Sequence, residues 1–401
     1  MADEALATES IAELIERLCP DGVEWVEIES LFTLRNGYTP SKKHASYWEN
    51  GSIPWFRMED IRENGHELSD PIQMVHESAV KGSVFPANSI LMATSATIGE
   101  HALVTVPHLS NQRFTSMQLK PAYAEKLDMR FAHYYAFILD EWCKENTTMS
   151  SFASVDMKRF RKFQFPLPPL VVQRKITSAL DQSIALDNSL KREIEGREKQ
   201  FSQLQSNRLT VDASEELGAL VAFSTTRVKV ESIDAEHYTG VENLLQNFEG
   251  RVSGTKLPEV GSITGVQPKD VLLGNIRPYL KKAWFADHVG GSSNDVLALR
   301  VKEDALSKLD PAWLFYVITS EEFLHYNIAN SKGAKMPRGD KKAILKYQLP
   351  LPPLEFQQQT ARELDTFKRY IANLKREREL RQKQYEGLRE QLLTFSKKES
   401  A

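Results

Sequence analysis

The chain has 401 residues, 41% of them hydrophobic and 26% charged, which is the composition of a globular protein of two or three domains and excludes a disordered chain. No stretch approaches the roughly 18–20 apolar residues of a membrane span. The acidic N-terminus lacks the basic and apolar regions of a secretion signal, and two cysteines, Cys19 and Cys143, make no disulfide framework. These features predict a cytoplasmic protein.

The net charge of −3 is unevenly distributed along the chain. The first 30 residues carry nine acidic side chains and one arginine, so the remainder has 50 basic against 45 acidic residues. Six basic residues cluster between Ala329 and Lys346, against the single acid Asp340. Because a phosphate backbone responds to local clusters and not to the global sum, the charge pattern permits binding to nucleic acid.

The first predicted domain mixes short strands with a helix. The apolar runs Ser89–Met92 and Ala102–Val106 alternate with Asn-Gly turn signals and predict strands. A helical segment follows at Ala124–Lys144, and a basic segment, Lys158–Phe165, then leads to the sequence PLPPL.

The sequence PLPPL at Pro166–Leu170 recurs at Pro350–Leu354, and the offset of 184 residues holds for about forty further positions, including Gln173 and Gln357. Each proline run is expected to end the structure before it and to enter a helix. A seam of mostly apolar residues then recurs at alternating steps of three and four, without an interior proline; it contains two arginines in the second copy and is looser in the first. This pattern predicts two helices of about 40 residues, roughly 60 Å each, which bury their apolar stripes against one another in an antiparallel pair.

The second predicted domain repeats the order of the first with a different sequence. Strands are expected at Asp270–Leu273 and Val296–Val301, a helix at Pro311–Tyr326 and a basic segment at Lys341–Gln348. We therefore expect an α+β fold in which two globular domains are separated by two long antiparallel helices that form a coiled coil. The internal repeat predicts a pseudo-twofold arrangement.

Signatures of enzymes are missing from the sequence. There is no GxxxxGK[ST] loop to bind phosphates and no glycine-rich strand-to-helix turn for a nucleotide or a methyl donor. Both Pro-Pro pairs lie between leucines, unlike the Asn/Asp-Pro-Pro-aromatic tetrad of an adenine methyltransferase. The nine histidines show no metal-ligand spacing. The sequence therefore predicts a protein without catalytic residues, bound cofactor or metal.

Six segments together resemble the specificity (S) subunit of a type I restriction–modification enzyme, and they cover nearly the whole chain. Their order, repeated twice at constant spacing, carries the resemblance more than any one motif does. The segments are Gly37–Ile61, Ser89–Glu100, Ser110–Phe114, Asp270–Phe285, Ser292–Val296 and Gln384–Phe395.

The resemblance implies a non-catalytic subunit that reads a bipartite, asymmetric sequence in double-stranded DNA, one half with each target-recognition domain. It implies that the long helices dock two modification (methyltransferase) subunits and that restriction (translocase-nuclease) subunits join them. S-adenosylmethionine, ATP and Mg are then expected on the partner subunits. The implied domains are an N-terminal helix in 1–20 that packs with the helical region, recognition domain 1 (21–165), a central helical spacer (166–216), recognition domain 2 (217–349) and a C-terminal helical repeat (350–401).

Candidate residues for DNA contact follow from the chemistry of phosphates and base edges, which select Lys, Arg, Asn, Gln and hydroxyl side chains. The basic segment that ends near Lys342 is the strongest candidate, because two glycines let its backbone approach a phosphate closely. In the first domain the candidates are Tyr38, Thr39, Ser41, Lys42, Lys43, Arg57, Asn111, Gln112 and Arg113. In the second they are Asn275, Arg277, Tyr279, Lys281, Lys282, Asn294, Lys332, Lys335 and Arg338.

Two other functions are compatible with the sequence. A coiled-coil assembly scaffold, whose two globular domains bind protein partners, would show no dependence on DNA sequence. An unrecognised DNA-modifying enzyme would bind a methyl donor or a nucleotide by itself. Selective, salt-sensitive binding to a duplex distinguishes the specificity subunit from both.

Overall fold

A computed structural model describes residues 9–148, 153–211, 214–254, 256–258 and 261–398. The outermost residues of the expected ranges 1–20 and 350–401 lie outside them. The chain divides into two compact units: the first unit is Met1–Asn188 with Glu379–Ala401, and the second is Ser189–Arg378. In the part that the structure describes, no helix has the length and apolarity needed to cross a membrane.

Both helices and strands occur in each unit, as the α+β prediction requires. The helices are α1 (Ile11–Leu18), α2 (Ile28–Leu31), α3 (Met58–Asn64), α4 (Met129–Glu145), α5 (Met157–Arg161), α6 (Leu170–Leu209), α7 (Leu217–Leu220), α8 (Pro311–Ile318), α9 (Glu321–Ala329), α10 (Lys341–Leu345) and α11 (Leu354–Leu392). The strands of the first unit are β1 (Glu24–Glu27), β2 (Phe32–Asn36), β3 (Ile53–Phe56), β4 (Glu67–Leu68), β5 (Met74–Val75), β6 (Ser89–Ala93), β7 (His101–Val104), β8 (Leu109–Ser110), β9 (Phe114–Leu119), β10 (Thr147–Thr148), β11 (Ser154–Val155) and β12 (Gln164–Leu167). Those of the second are β13 (Ser214–Glu216), β14 (Val221–Phe223), β15 (Arg227–Lys229), β16 (Tyr238–Thr239), β17 (Ser262–Val266), β18 (Val271–Gly274), β19 (Ala283–Phe285), β20 (Gly290–Ser292), β21 (Val296–Val301) and β22 (Gln348–Pro350).

The two units share the central strands of their sheets and differ in the outer strands. The main sheet of the first unit has the order β2-β9-β6-β7-β4, and that of the second has the order β14-β21-β18-β19. A second sheet contains a parallel pair in each unit, β3 with β8 and β16 with β20. A two-stranded antiparallel sheet joins the segment before the main sheet to the strand that leads into the proline run, β1 with β12 and β13 with β22. The duplication therefore extends through the domains whose sequences barely match.

The long helices α6 and α11 contain 40 and 39 residues, which confirms the two predicted helices. Within the first unit, Ile176 and Leu180 of the first long helix share a buried core with Leu393, which follows the second. Leu14 of α1 lies in the same core, so the N-terminal helix packs with the helical region.

Within the second unit, the same two helices pack antiparallel. Leu190 and Ile194 form a buried cluster with Leu374, and Phe201 meets Phe367 edge-on at 6.0 Å between ring centroids. Closer to the end of α6, Arg208 forms an ion pair with Glu363 at 3.0 Å. Side chains later in α6 thus contact residues earlier in α11, as the predicted antiparallel pair requires.

The repeated glutamines Gln173 and Gln357 have no solvent exposure and make the same hydrogen bonds. Each side-chain oxygen accepts the backbone N–H of an aspartate that caps a domain helix, Asp128 at 2.8 Å and Asp310 at 2.9 Å. Each side-chain amide donates to two carbonyl groups, one before the capping aspartate and one within the proline run. The repeated glutamine therefore fixes the proline turn to the domain in both units.

Two details differ from the sequence-based expectations. Pro166 does not end the structure before it but pairs with Trp25 inside β12; a two-stranded sheet leaves free edges, where a residue without an N–H is tolerated. The expected single helix Pro311–Tyr326 is two helices, because the hydroxyl of Ser320 accepts the backbone N–H of Phe323 and caps a new helix.

Candidate nucleic-acid interface

In the first unit, the segment after β2 and the segment between β8 and β9 lie side by side. The backbone N–H of Tyr38 donates to the carbonyl of Ser110 at 2.7 Å, and that of Asn111 donates to the carbonyl of Phe56 at 3.0 Å. A side chain at Gly37 would collide with the carbonyl of Asn111, 2.1 Å from the position of its Cβ. Glycine is therefore needed for the two segments to approach each other this closely.

This arrangement brings most of the first-domain candidates to one surface. Ser41, Lys42 and Lys43 are exposed after β2, and Gln112 and Arg113 are exposed before β9. The two segments are linked by the hydroxyl of Thr39, which lies 2.5 Å from Oε1 of Gln112. Arg57 is half-buried beside Asn111, its Nε 3.6 Å from a carboxylate oxygen of Glu59.

Tyr38 differs from its neighbours because its side chain is occupied within the protein. Its hydroxyl donates to the carbonyl of Ala79 at 3.1 Å and accepts the backbone N–H of Lys81 at 2.7 Å. The indole of Trp55 donates to the Tyr38 carbonyl at 3.0 Å. These bonds position the segment that carries the exposed lysines, and a DNA contact by Tyr38 itself stays a prediction.

In the second unit, the basic segment forms a hairpin that joins two other segments. Lys332 and Arg338 exchange backbone hydrogen bonds of 2.8 Å in both directions. The N–H of Arg277 donates to the carbonyl of Pro337 at 2.7 Å, and that of Asn275 donates to the carbonyl of Asp295 at 2.8 Å. The hairpin, the turn after β18 and the segment between β20 and β21 thus make one surface.

The exposed side chains on this surface are mostly basic or polar. Arg338 lies 3.1 Å from a carboxylate oxygen of Asp295, and Lys332 pairs with Asp340 and holds the pKa of that carboxyl below its usual value. Lys335 makes no ion pair among the described residues. The exposed candidates here are Arg277, Tyr279, Asn294, Lys332, Lys335 and Arg338.

Two candidates of the second domain have side-chain partners within the protein, and a third is buried. Lys281 pairs with Glu321 at 2.5 Å, and the ammonium group of Lys282 donates to the carbonyl of Val241 at 2.7 Å. Asn275 is 6% exposed, and its side-chain oxygen has no hydrogen-bond partner. These side chains contact other parts of the protein and so position the turn after β18. Their predicted contacts with DNA are untested.

Met336 was not among the candidates, yet it is 44% exposed between Lys335 and Pro337 in the hairpin. An apolar side chain presented in a basic surface can contact a thymine methyl group or a base step. The signal in the sequence was a methionine inside a glycine-bounded basic segment, and a search for charge alone passes over it.

No group of three or more His, Cys, Asp or Glu side chains in the described ranges is arranged to hold a metal ion. What the two surfaces offer is exposed cations, amides and hydroxyls on segments at equivalent places: Ser110–Arg113 joins β8 to β9, and Ser292–Asp295 joins β20 to β21. This chemistry suits a polyanion with polar edges. The fold and the surfaces define a duplicated two-domain binding protein with one polar surface on each unit.

The family model for the type I restriction modification DNA specificity domain matches residues 20–196 and 286–382. That is more than half of the chain. The chain therefore belongs to the family of type I restriction–modification specificity subunits, as the sequence resemblance indicated.

Curated relatives match part of the chain. It is 56% identical over 172 residues to the specificity subunit of the type I restriction enzyme EcoprrI of Escherichia coli, which covers 41% of this chain and 43% of the relative. It is 32% identical over 193 residues to the EcoR124I/EcoR124II specificity subunit of Escherichia coli, covering 45% and 46%. The chain thus spans less than half the length of the curated relatives it matches.

Solved structures support the fold over almost the full length. The S subunit of a type I restriction–modification system from M. genitalium has a TM-score of 0.52 at 14% identity, covering 93% of this chain and 96% of that one. A second structure, from work on complex assembly and conformational transition of the type I R-M system, has a TM-score of 0.59 at 17% identity, with the same coverage. At identities of 14% and 17%, the similarity to these structures shows a shared fold.

Proposed function

We propose that this chain is the non-catalytic DNA-specificity subunit of a type I restriction–modification enzyme. Each unit reads one half of a bipartite, asymmetric target in double-stranded DNA. The observation that carries this proposal is a shared arrangement of central strands that presents different side chains at equivalent places, Asn111–Arg113 in the first unit and Ser293–Asp295 in the second. Two similar domains that present different side chains are suited to read two different half-sites of a DNA target.

The proposed partners are two modification subunits and the restriction subunits that join them. The long helices carry identical exposed residues at equivalent positions, Lys199 and Gln200 in the second unit and Lys383 and Gln384 in the first. Two copies of one surface offer equivalent docking sites to two copies of one partner. S-adenosylmethionine, ATP and Mg belong to those partners in this proposal, and the chain itself acts without a cofactor.

Mapping methylated adenines in cells that carry the complex tests the reading of DNA. We expect one two-part motif. Because arginine reads base edges, Arg113→Ala should relax one half of the motif and Arg277→Ala the other. The absence of sequence-dependent methylation, or a motif unchanged in both variants, would contradict the proposal and favour an assembly scaffold.

Salt dependence separates phosphate contact from base reading. Lys335→Ala should weaken binding to all duplexes and lower the slope of log K against log[salt] by roughly 0.9. Lys308→Ala is the matched control, since Lys308 is exposed in the same unit but follows the opposite end of β21. An equal slope change in both variants would remove Lys335 from the interface.

Stoichiometry tests the docking of partners. Lys199→Glu or Lys383→Glu alone should leave a complex with one modification subunit, and the two together a complex with none. Arg362→Glu reverses an exposed charge of α11 whose equivalent at the 184-residue offset is Ser178, so it should leave two subunits bound. Analytical ultracentrifugation measures the ratio, and loss of both partners in a single variant would contradict two independent sites.

A further inference from the structure

The first unit contains an aromatic pocket of about 580 Å³ that the proposed function does not use. Trp25, Tyr135, Trp142 and Phe163 form its walls. The Trp142 and Phe163 rings meet edge-on at 5.3 Å between centroids, and Trp25 meets Tyr135 at 6.4 Å. The walls are therefore packed against one another and present preformed apolar surfaces.

The charged side chains that line the pocket, Arg159 and Lys162, are both cations. Nε1 of Trp25 is buried and has no hydrogen-bond partner. Arg159 and Lys162 line the pocket, are exposed, and make no side-chain hydrogen bond or ion pair among the described residues. Lys158 and Arg161 add two further exposed cations on the same short segment. Four exposed cations on one short segment favour an anionic ligand that accepts hydrogen bonds.

The pocket lies away from the candidate DNA surface of its own unit. It is built around β1 and β12, and the N–H of Ile28, at the start of α2, donates to the carbonyl of Phe163. The helix α2 then leads into β2, whose far end carries the loop that begins at Gly37. Five strand residues span roughly 17 Å, so the pocket and the DNA loops are at opposite ends of that strand.

The second unit does not repeat the residues that form the pocket. Trp25 pairs with Pro166, and the residue paired with the equivalent Pro350 is Ser214. Trp142 lies in the continuous helix α4, whereas the helical segment that follows Asp310 is divided into α8 and α9 at Ser320. The pocket thus departs from the internal repeat, and a ligand that needs both tryptophans is bound once by each chain.

We propose that this pocket binds an acidic segment of a protein partner that carries an aromatic or bulky apolar side chain beside a carboxylate. The apolar side chain packs between the aromatic walls, and the carboxylate meets Arg159 and Lys162. The position opposite the DNA loops favours a protein over DNA. The partner is one subunit of the assembled enzyme, and this source of the segment rests on the proposed function.

Photo-crosslinking in the reconstituted complex tests the proposal. Gln164 lines the pocket, and Gln348 is its equivalent in the second unit. With p-benzoylphenylalanine at position 164, in a complex of chain, modification and restriction subunits and a target duplex, we expect a crosslink to one partner segment rich in Asp or Glu. Position 348 should not crosslink to that segment.

Pocket variants separate binding from folding. Arg159→Ala with Lys162→Ala should lower the crosslink yield roughly tenfold, the loss expected for charge-assisted hydrogen bonds, and Lys346→Ala, the equivalent of Lys162, should not. Trp142→Leu, which removes an aromatic wall, should lower the yield, whereas Trp142→Phe should retain most of it. A crosslink to DNA alone, no crosslink, or equal yields in all variants would overturn the proposal. Methylation of the two-part target in the same sample reports separately on the proposed function.

Discussion

Gln173 in the first unit and Gln357 in the second make the same set of hydrogen bonds, whereas the ion pairs of the two units occupy different positions. In the first unit, Asp181 of α6 pairs with Arg130 of α4 at 2.8 Å. In the second, Asp270 before β18 pairs with Arg300 of β21 at 2.6 Å. The sequence is repeated where buried backbone groups need one particular partner. The side-chain contacts diverge where other side chains can supply the stabilisation.

The largest expected difference between the units is their response to acid. Burial lowers the pKa of His133 to about 3 and that of His108 to about 4, and it also lowers the pKa of buried His101. The neighbouring His66 and Arg130 disfavour a charge on His133, and Asp181 opposes them only in part. All three low-pKa histidines lie in the first unit, and none of the second unit's three histidines is buried.

The direction of the change in stability with pH follows from proton binding to these histidines. Below pH 6.5 the unfolded chain protonates these histidines and the folded unit does not, so the free energy of unfolding falls as the pH is lowered towards the folded pKa values. Between pH 7 and pH 5 we expect the first unit to lose about 2 kcal/mol for each of His108 and His133. Urea unfolding followed by peptide-resolved hydrogen exchange, corrected for intrinsic exchange rates, measures each unit. Equal losses in both units would contradict the assignment.

The next largest effect tests what the units share. Gln173→Leu leaves the N–H of Asp128 and two carbonyl groups without their partner, which should cost about 3 kcal/mol in the first unit. Gln357→Leu should cost the same in the second. Gln182→Leu, at an exposed position of α6, is the control and should change little. Clearly unequal costs for the two glutamines would break the equivalence of the two junctions.

The long helices were predictable because their signal is local and long. Two stretches of about 40 residues without an interior proline carry apolar residues at most steps of three and four, and their recurrence supplies a partner for each stripe. The break at Ser320 was missed because a capping serine inside an apolar segment competes with the helical pattern over only a few residues.

The candidate surfaces were predictable in part. Residue types and turn signals placed the basic hairpin and the exposed polar segments. They could not show that Arg277 donates to Pro337 across the surface, or that Lys282 turns inward to the carbonyl of Val241. Those contacts join segments that lie far apart in sequence, and neither hydrophobic period nor turn chemistry carries information on such pairs.

A smaller expected effect on stability concerns an aspartate that both units contain but that makes different contacts in each. Asp181 accepts hydrogen bonds from Arg130 and, at 2.5 Å, from the hydroxyl of Tyr134. Among the described residues, its repeat equivalent Asp365 forms its ion pair within its own helix, with Arg369 at 3.2 Å. Because the network is partly exposed, Asp181→Ala should cost about 1–2 kcal/mol in the first unit, and Asp365→Ala less than about 0.5 kcal/mol in the second. Chemical denaturation of matched variants measures both, and equal costs would show that the divergent contacts carry no energy.

The smallest effect concerns an exposed contact that only the second unit makes. Arg208 and Glu363 pair at 3.0 Å with side chains about 40% exposed, and their repeat equivalents, Leu392 and Ala179, cannot form an ion pair. Exposed pairs of this kind contribute about 0.2–1 kcal/mol. A double-mutant cycle of Arg208→Ala and Glu363→Ala should therefore give a coupling near 0.5 kcal/mol that weakens with added salt. A coupling above about 2 kcal/mol would mean that the divergent surface contacts hold the helices together as strongly as the repeated core does. The distinction between a repeated framework that stabilises the helices and a variable surface that does not would then be wrong.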